Sequence, residues 1–122
     1  MKLLIIEDNE QNLYLEQFLL EAKGHAVASA RDGATGITMA QQHDYDAILL
    51  DIQMPDMDGY EVARRMTALP DWKRVPIIAV TSLAMSGDKE KVLAAGCSGY
   101  LEKPIDPDRF VAQVESIATE KR

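Results

Sequence analysis

The chain has 122 residues, of which 47% are hydrophobic and 27% are charged, and its formal net charge at pH 7 is −7. This length and composition are typical of one folded domain with a sizeable core, and they exclude a disordered chain. The negative charge argues against nucleic acid or an anionic membrane as a direct partner, because both require a basic surface.

The first half of the chain alternates short apolar runs with helical patterns. Lys2–Ile6 is apolar on both faces, which predicts a strand of a parallel sheet covered by helices. A helix is predicted over Asn9–Ala22, capped by Asn9 and ended by Lys23-Gly24, with four apolar residues at helical spacing: Leu15, Phe18, Leu19 and Ala22. His25–Ser29 is predicted as a weak second strand, and Gly33–Gln42 as a second helix.

The second half continues the alternation. Asp46–Leu50 predicts a third strand, and a third helix is predicted to begin at Asp58, with Glu61 reaching back as in a capping box. The remaining predicted elements are a strand over Val75–Val80, a helix over roughly Ser86–Ala95, a strand over Ser98–Glu102 and a last helix opened by Asp106-Pro107-Asp108. Five such units imply a parallel sheet with right-handed crossovers and helices on both faces.

The cysteine, the apolar runs and the two histidines give expectations about the location of the protein in the cell and about the surroundings of these side chains. The single cysteine, Cys97, rules out an internal disulfide and is predicted to be a small buried hydrophobe. No leader precedes the first strand and no apolar run approaches membrane length, so a cytoplasmic protein with no membrane contact is expected. His25 and His43 lack a second ligand at useful spacing and are predicted to lie on the surface.

Chemically active side chains follow four of the five strands. They are Glu7-Asp8, Asp51, Thr81-Ser82 and Lys103-Pro104. Ligands of such sheets bind beyond the carboxyl ends of the strands, where the strand order reverses. Three carboxylates and one ammonium leave an excess of negative charge that Mg²⁺ would balance, and a carboxylate beside Mg²⁺ can attack phosphorus.

The sequence resembles the receiver domains of bacterial two-component response regulators across nearly its whole length. The resemblance rests on four motifs in order, "IIEDN", "ILLDIQMPDMDG", "VTS" and "YLEKP". It implies that residues 1–122 form one receiver domain with a flavodoxin-like, doubly wound (βα)5 fold and strand order 2-1-3-4-5. It also implies that Asp51 is the phosphoacceptor. Its phosphodonor would be a sensor histidine kinase or a histidine phosphotransfer protein.

The resemblance assigns roles to further residues. Asp8, Asp51 and the backbone carbonyl of Gln53 would hold Mg²⁺ or Mn²⁺, with Glu7 acting through water. Thr81 and Lys103 would bind phosphoryl oxygens, Thr81 and Tyr100 would form the switch, and the Lys103–Pro104 peptide bond would be cis. Gln53 and Leu83 would tune the loss of phosphate; because Leu83 cannot hydrogen-bond water, a long-lived phosphoaspartate is expected.

Several functional hypotheses remain open from the sequence. The first is a single-domain signalling switch, similar to cell-division-control regulators in "LAMSGDKEKVLAAGCSGYLEKP", that acts on a protein target through the fourth helix, fifth strand and fifth helix. It would not be an enzyme in the ordinary sense, although it would catalyse its own phosphorylation and slow autodephosphorylation. An alternative is a receiver excised from a hybrid kinase or larger regulator. A Mg²⁺-dependent phosphatase is disfavoured, because such enzymes need a second acid where Gln53 stands.

Overall fold

The computed structural model describes residues 1–55, 58–82 and 86–120. Its elements in chain order are β1 (Lys2–Ile6), α1 (Glu10–Ala22), β2 (Ala26–Ala30), α2 (Gly33–Gln42), β3 (Ala47–Asp51), α3 (Gly59–Thr67), β4 (Ile77–Thr81), α4 (Ser86–Ala94), β5 (Gly99–Glu102) and α5 (Phe110–Glu120). The five strands form one parallel sheet in the order β2-β1-β3-β4-β5. The predicted flavodoxin-like fold is therefore confirmed.

The sheet separates two apolar layers. Alternate residues of each strand point to opposite faces, so Leu3 and Ile5 belong to one layer while Leu4 and Ile6 belong to the other. The first layer includes Leu20 of α1 and Phe110 of α5, and the second includes residues of α3 and α4. Because both faces are covered, the central strands are apolar throughout and a charged residue is tolerated only at their ends.

The apolar residues that stand at helical spacing in α1 are mostly exposed. Phe18 is 57% exposed and stacks on the exposed ring of Tyr14 at 6.4 Å between centroids, and Leu15 also lies on the surface. The fully buried residues of this helix are Glu16 and Leu20. Apolar residues surround too much of α1 for their spacing to select one face, and packing of Leu20 into the core brings Glu16 inward with it.

Local capping follows the sequence at two helices. Asn9 caps α1 by accepting a hydrogen bond from the Asn12 N–H at 2.9 Å, and Asp58 accepts one from the Tyr60 N–H at 2.8 Å. Glu61 does not reach back to complete a capping box; its carboxylate instead pairs with arginines 64 and 65 of the same helix. An arginine one turn away offers this carboxylate a stronger partner than a backbone N–H.

The prediction that His25 lies on the surface is wrong. Only 8% of its side chain is exposed, because Nδ1 lies 3.0 Å from the Met1 amine and Nε2 lies 2.8 Å from the Glu115 carboxylate of α5. His43 is exposed, as predicted. Among the described residues, no helix has the length and apolar character needed to cross a membrane.

Candidate functional site

The strand order brings the predicted site residues to one edge of the sheet. Asp51 is the last residue of β3, Thr81 is the last residue of β4, and Glu7 and Lys103 directly follow β1 and β5. β3 lies between β1 and β4, and the Lys103 N–H donates to the Thr81 carbonyl at 2.8 Å. Four segments distant in sequence therefore end around Asp51.

The loop after Asp51 is held close to the strand by a glycine. A Cβ atom added to Gly59 would lie 2.5 Å from the Ile52 Cα and 2.7 Å from the Asp51 carbonyl oxygen. Both neighbours are backbone atoms, which cannot move aside as a side chain can. Glycine at position 59 therefore permits α3 to begin directly against the end of β3.

The Asp51 carboxylate is almost completely buried, with 2% of the residue exposed, and it contacts a lysine. Its Oδ1 atom accepts a hydrogen bond from Lys103 Nζ at 3.0 Å and another from the Gln53 N–H at 3.0 Å. Lys103 Nζ also lies 3.3 Å from Glu7 Oε2, so one ammonium bridges two carboxylates. These contacts hold the Asp51 carboxylate in one orientation.

Three carboxylates meet at this position. One oxygen each of Glu7, Asp8 and Asp51 lies within 4.8 Å of the other two. Glu7 is 1% exposed, and its Oε2 atom has no hydrogen-bond donor among the described residues apart from its ion pair with Lys103. A buried oxygen-rich cluster with surplus negative charge fits a hard divalent cation such as Mg²⁺.

The pKa values reflect this surplus charge. Burial and the charge of Asp51 raise the pKa of Glu7 to about 7, although Lys103 partly opposes them. Burial by itself lowers the pKa of Lys103, but its hydrogen bond with Asp51 and the charges of Glu7 and Asp51 outweigh burial, so its pKa is raised. Lys103 is therefore a permanent cation of the site.

Glu16 is a further buried carboxyl whose pKa responds to this cluster, and the sequence did not single it out. The residue is 2% exposed, and burial followed by the charge of Glu7 raises its pKa to about 8. It shares a small cavity with Lys103 and Ser82. Only the orientation of α1 shows that this residue faces inward.

The predicted switch residues lie on adjacent strands. Thr81 is 1% exposed at the end of β4, while Tyr100 on β5 is half-buried and pairs with Ala79 in the strand register. The Lys89 Nζ atom of α4 lies 5.9 Å from the centroid of the Tyr100 ring. Tyr100 thus lies on the strand directly beside β4, with its ring near Lys89 of α4.

The remaining predicted residues lie close to the cleft. Gln53 is exposed, and its side-chain oxygen accepts two hydrogen bonds from Ser82. The Lys103–Pro104 peptide bond is cis, the geometry expected from the resemblance. Leu83 lies outside the described residues.

Comparison with known proteins gives one consistent family. The family described as "Response regulator receiver domain" matches residues 3–115. The polar-differentiation response regulator DivK of Brucella ovis is 39% identical over 113 residues, which cover 93% of this chain and 92% of that protein.

Two solved structures illustrate the likeness in fold. The receiver domain of the sensor histidine kinase PA1611 from Pseudomonas aeruginosa, which has a magnesium ion coordinated in its active-site cleft, is 36% identical with a TM-score of 0.84, covering 98% of this chain and 95% of that one. The chemotaxis protein CheY4 of Vibrio cholerae is 27% identical with a TM-score of 0.89, covering 95% of this chain and 97% of that one.

Proposed function

The chain belongs to the response regulator receiver domains of two-component systems, and from this membership we propose that Asp51 is its phosphoacceptor. The observation that carries the proposal is the buried Asp51 carboxylate, held by Lys103 beside Glu7 and Asp8. A buried carboxylate that contacts a lysine and lies within 4.8 Å of two further acids is typical of a site for binding and chemistry, whereas a carboxylate that serves solubility is exposed. We propose that residues 1–122 together form the receiver domain.

The acidic cluster is proposed to hold Mg²⁺, or Mn²⁺ in its place. Asp8, Asp51 and the backbone carbonyl of Gln53 would be ligands, and Glu7 would act through water. When bound, the cation would neutralise charge on the oxygens of the transferred phosphoryl group. The nearly unpartnered Oε2 atom of Glu7 and the excess of carboxylates support this assignment.

The transfer itself is a displacement at phosphorus. A carboxylate oxygen of Asp51 attacks the phosphoryl group of a phosphohistidine, a new P–O bond forms, the P–N bond breaks, and the imidazole of the donor keeps the electron pair. Lys103 exchanges its contact with Asp51 for one with a phosphoryl oxygen, and the Thr81 hydroxyl donates to another. The chain thereby promotes its own phosphorylation and a slow dephosphorylation, while its biological role is signalling.

The phosphorylated state is proposed to alter the surface formed by α4, β5 and α5. Movement of Thr81 toward the phosphoryl group would leave space into which the half-buried Tyr100 ring rotates. A downstream protein would bind the altered surface. The phosphodonor would be a sensor histidine kinase or a histidine phosphotransfer protein, with which the chain would meet in the cytoplasm.

A second candidate function concerns the protein context rather than the chemistry. The 36% identity to the receiver domain of a sensor histidine kinase, close to the 39% identity to DivK, is the observation behind an alternative in which the chain is the receiver of a hybrid kinase or a larger regulator. Asp51 would have the same role in either context.

Intact-mass measurement after incubation with acetyl phosphate and Mg²⁺ tests the proposal. We expect wild type to gain one phosphoryl group and Asp51→Asn to gain none. Asp44→Asn, a matched change at an exposed carboxylate, should behave as wild type. Uptake by Asp51→Asn equal to that of wild type would refute the assignment of Asp51.

A further inference from the structure

The loops after β3 and β4 are joined by one side chain, that of Gln53. Gln53 Oε1 accepts a hydrogen bond from the Ser82 N–H at 3.0 Å and another from the Ser82 hydroxyl at 2.5 Å. In the sheet, Asp51 pairs with Val80, so two residues further along each chain Gln53 stands opposite Ser82. The side-chain contact therefore continues the strand pairing beyond the end of the sheet.

Gln53 is anchored at both of its ends. Its backbone N–H donates to Asp51 Oδ1 at 3.0 Å, and its side chain is bound to Ser82. Both residues are exposed, whereas the Asp51 carboxylate near them is buried. The contact between Gln53 and Ser82 thus joins the loops after β3 and β4 at the exposed edge of the sheet, next to the buried Asp51.

The two donors of Ser82 also determine which way the Gln53 amide points. A backbone N–H can only donate, so the atom that faces it must be the carboxamide oxygen. The amide nitrogen, which carries only donors, is then turned away from Ser82. An amide held in this way cannot accept a hydrogen bond from a water on its free side.

We propose that Ser82 is a positioning residue that fixes the orientation of the Gln53 carboxamide beside the acceptor site and thereby prolongs the lifetime of the phosphoaspartate. The inference rests on the proposed role of Asp51. In the hydrolysis that it opposes, water attacks phosphorus, the P–O bond to Asp51 breaks, the carboxylate keeps the electron pair, and inorganic phosphate leaves. A water needs a hydrogen-bond acceptor to orient it for this attack. Held by Ser82, Gln53 offers none and restricts access.

The test measures loss of the phosphoryl group from purified protein after acetyl phosphate is removed. We expect Ser82→Ala to lose it about two- to tenfold faster than wild type, the change expected from one lost hydrogen bond. Ser82→Thr keeps the hydroxyl and should decay as wild type does. Ser116→Ala, an exposed serine on α5, serves as the matched control and should also leave the rate unchanged.

Two further measurements separate positioning from a general loss of structure. In a Gln53→Ala background, Ser82→Ala should no longer change the decay rate, because the residue it positions is absent. Amide hydrogen exchange of the Ser82 N–H should become about tenfold faster in Gln53→Ala, since that N–H loses its acceptor.

Equal decay in wild type and Ser82→Ala, equal acceleration by Ser82→Ala with and without Gln53, or an unchanged exchange rate at Ser82 would each overturn the inference. Absence of phosphoryl uptake by wild type would overturn the proposed function and this inference together. Normal uptake with unaltered decay would overturn this inference alone.

Discussion

The two ends of the parallel sheet both carry ion pairs, and the shorter pair is the less consequential one. At the amino end, Lys73 Nζ lies 2.6 Å from Asp44 Oδ1, but 70% and 82% of the two side chains are exposed. At the carboxyl end, Lys103 lies 3.0 Å from Asp51 and 3.3 Å from Glu7, both of which are buried. Distance alone would rank the two ends in the wrong order.

The surroundings of the charges explain the difference. Water screens an exposed pair and competes for its hydrogen bonds, so little stability depends on it. Buried carboxylates have lost their hydration, and burial is the largest cause of the raised pKa values of Glu7 and Glu16. By contrast, the hydrogen bond with Lys73 lowers the pKa of Asp44. Burial of these carboxylates at the carboxyl end therefore lowers the stability of the folded protein. Such a cost in stability is expected of a site used for binding and chemistry.

The largest effect is expected on the rate of phosphoryl transfer when Lys103 is replaced by an apolar residue. The same replacement of Lys73 at the amino end is the matched control. Lys103→Met should slow phosphoryl transfer from acetyl phosphate about 100-fold or more, because a preorganised cation no longer meets the phosphoryl oxygens. A time course of intact mass at saturating Mg²⁺ measures the rate. Lys73→Met should react as wild type does. Comparable rates for Lys103→Met and Lys73→Met would contradict the contrast between the two ends.

A smaller but still substantial effect is expected on the free energy of unfolding when Glu16 is neutralised. Its pKa is about 8 in the folded protein and 4.5 is the ordinary value. Well below pH 4.5 the Glu16 carboxyl is protonated in both the folded and the unfolded state, so it does not reduce the free energy of unfolding. As the pH rises toward 8, the unfolded state releases a proton that the folded state keeps, so stability falls. We therefore expect Glu16→Gln to gain on the order of 2–4 kcal/mol over wild type between pH 5 and pH 8.

Urea unfolding at pH 5 and pH 8 without Mg²⁺ measures this gain. Glu7 titrates in both proteins, so the difference between them reports mainly on Glu16, including its electrostatic interaction with Glu7. Asp44→Asn is the control from the amino end. Because the pKa of Asp44 is lowered from 3.8, this carboxylate titrates below the tested range, and its replacement should give the same difference from wild type at both pH values. A pH-independent effect of Glu16→Gln would show that this carboxyl is ionised throughout.

The burial of Glu16 could not be predicted from the sequence, in contrast to the position of the strand-end residues. The strand-end residues Glu7, Asp51, Thr81 and Lys103 could be brought together in advance, because they follow strands of a parallel sheet and the family resemblance supplied the strand order. The inward face of α1 could not be, because Leu15 and Phe18 offered an equally apolar alternative. A helix rotates to bury its best-fitting residues, and that choice depends on the shape of the core.

Long-range side-chain contacts were also beyond the sequence. His25 contacts Glu115, 90 residues further along the chain, and nothing local to either residue indicates that contact. The contact between Gln53 and Ser82 could be predicted from the sequence only in part. The pairing of Asp51 with Val80 places the two residues opposite each other, but the hydrogen bonds depend on a side-chain conformation that no sequence pattern specifies.

The smallest effect is expected from Mg²⁺ on thermal stability, and it too distinguishes the two ends. If Glu7, Asp8 and Asp51 hold the cation, binding stabilises only the folded state, by about 1.4 kcal/mol at a Mg²⁺ concentration ten times Kd. The melting temperature of wild type should therefore rise with Mg²⁺, and calorimetry can follow it. Asp8→Asn removes one proposed ligand and should lose most of the rise, whereas Asp44→Asn should keep it. An equal rise in Asp8→Asn and Asp44→Asn would mean that Mg²⁺ acts through general screening, and the acidic cluster would then not be its site.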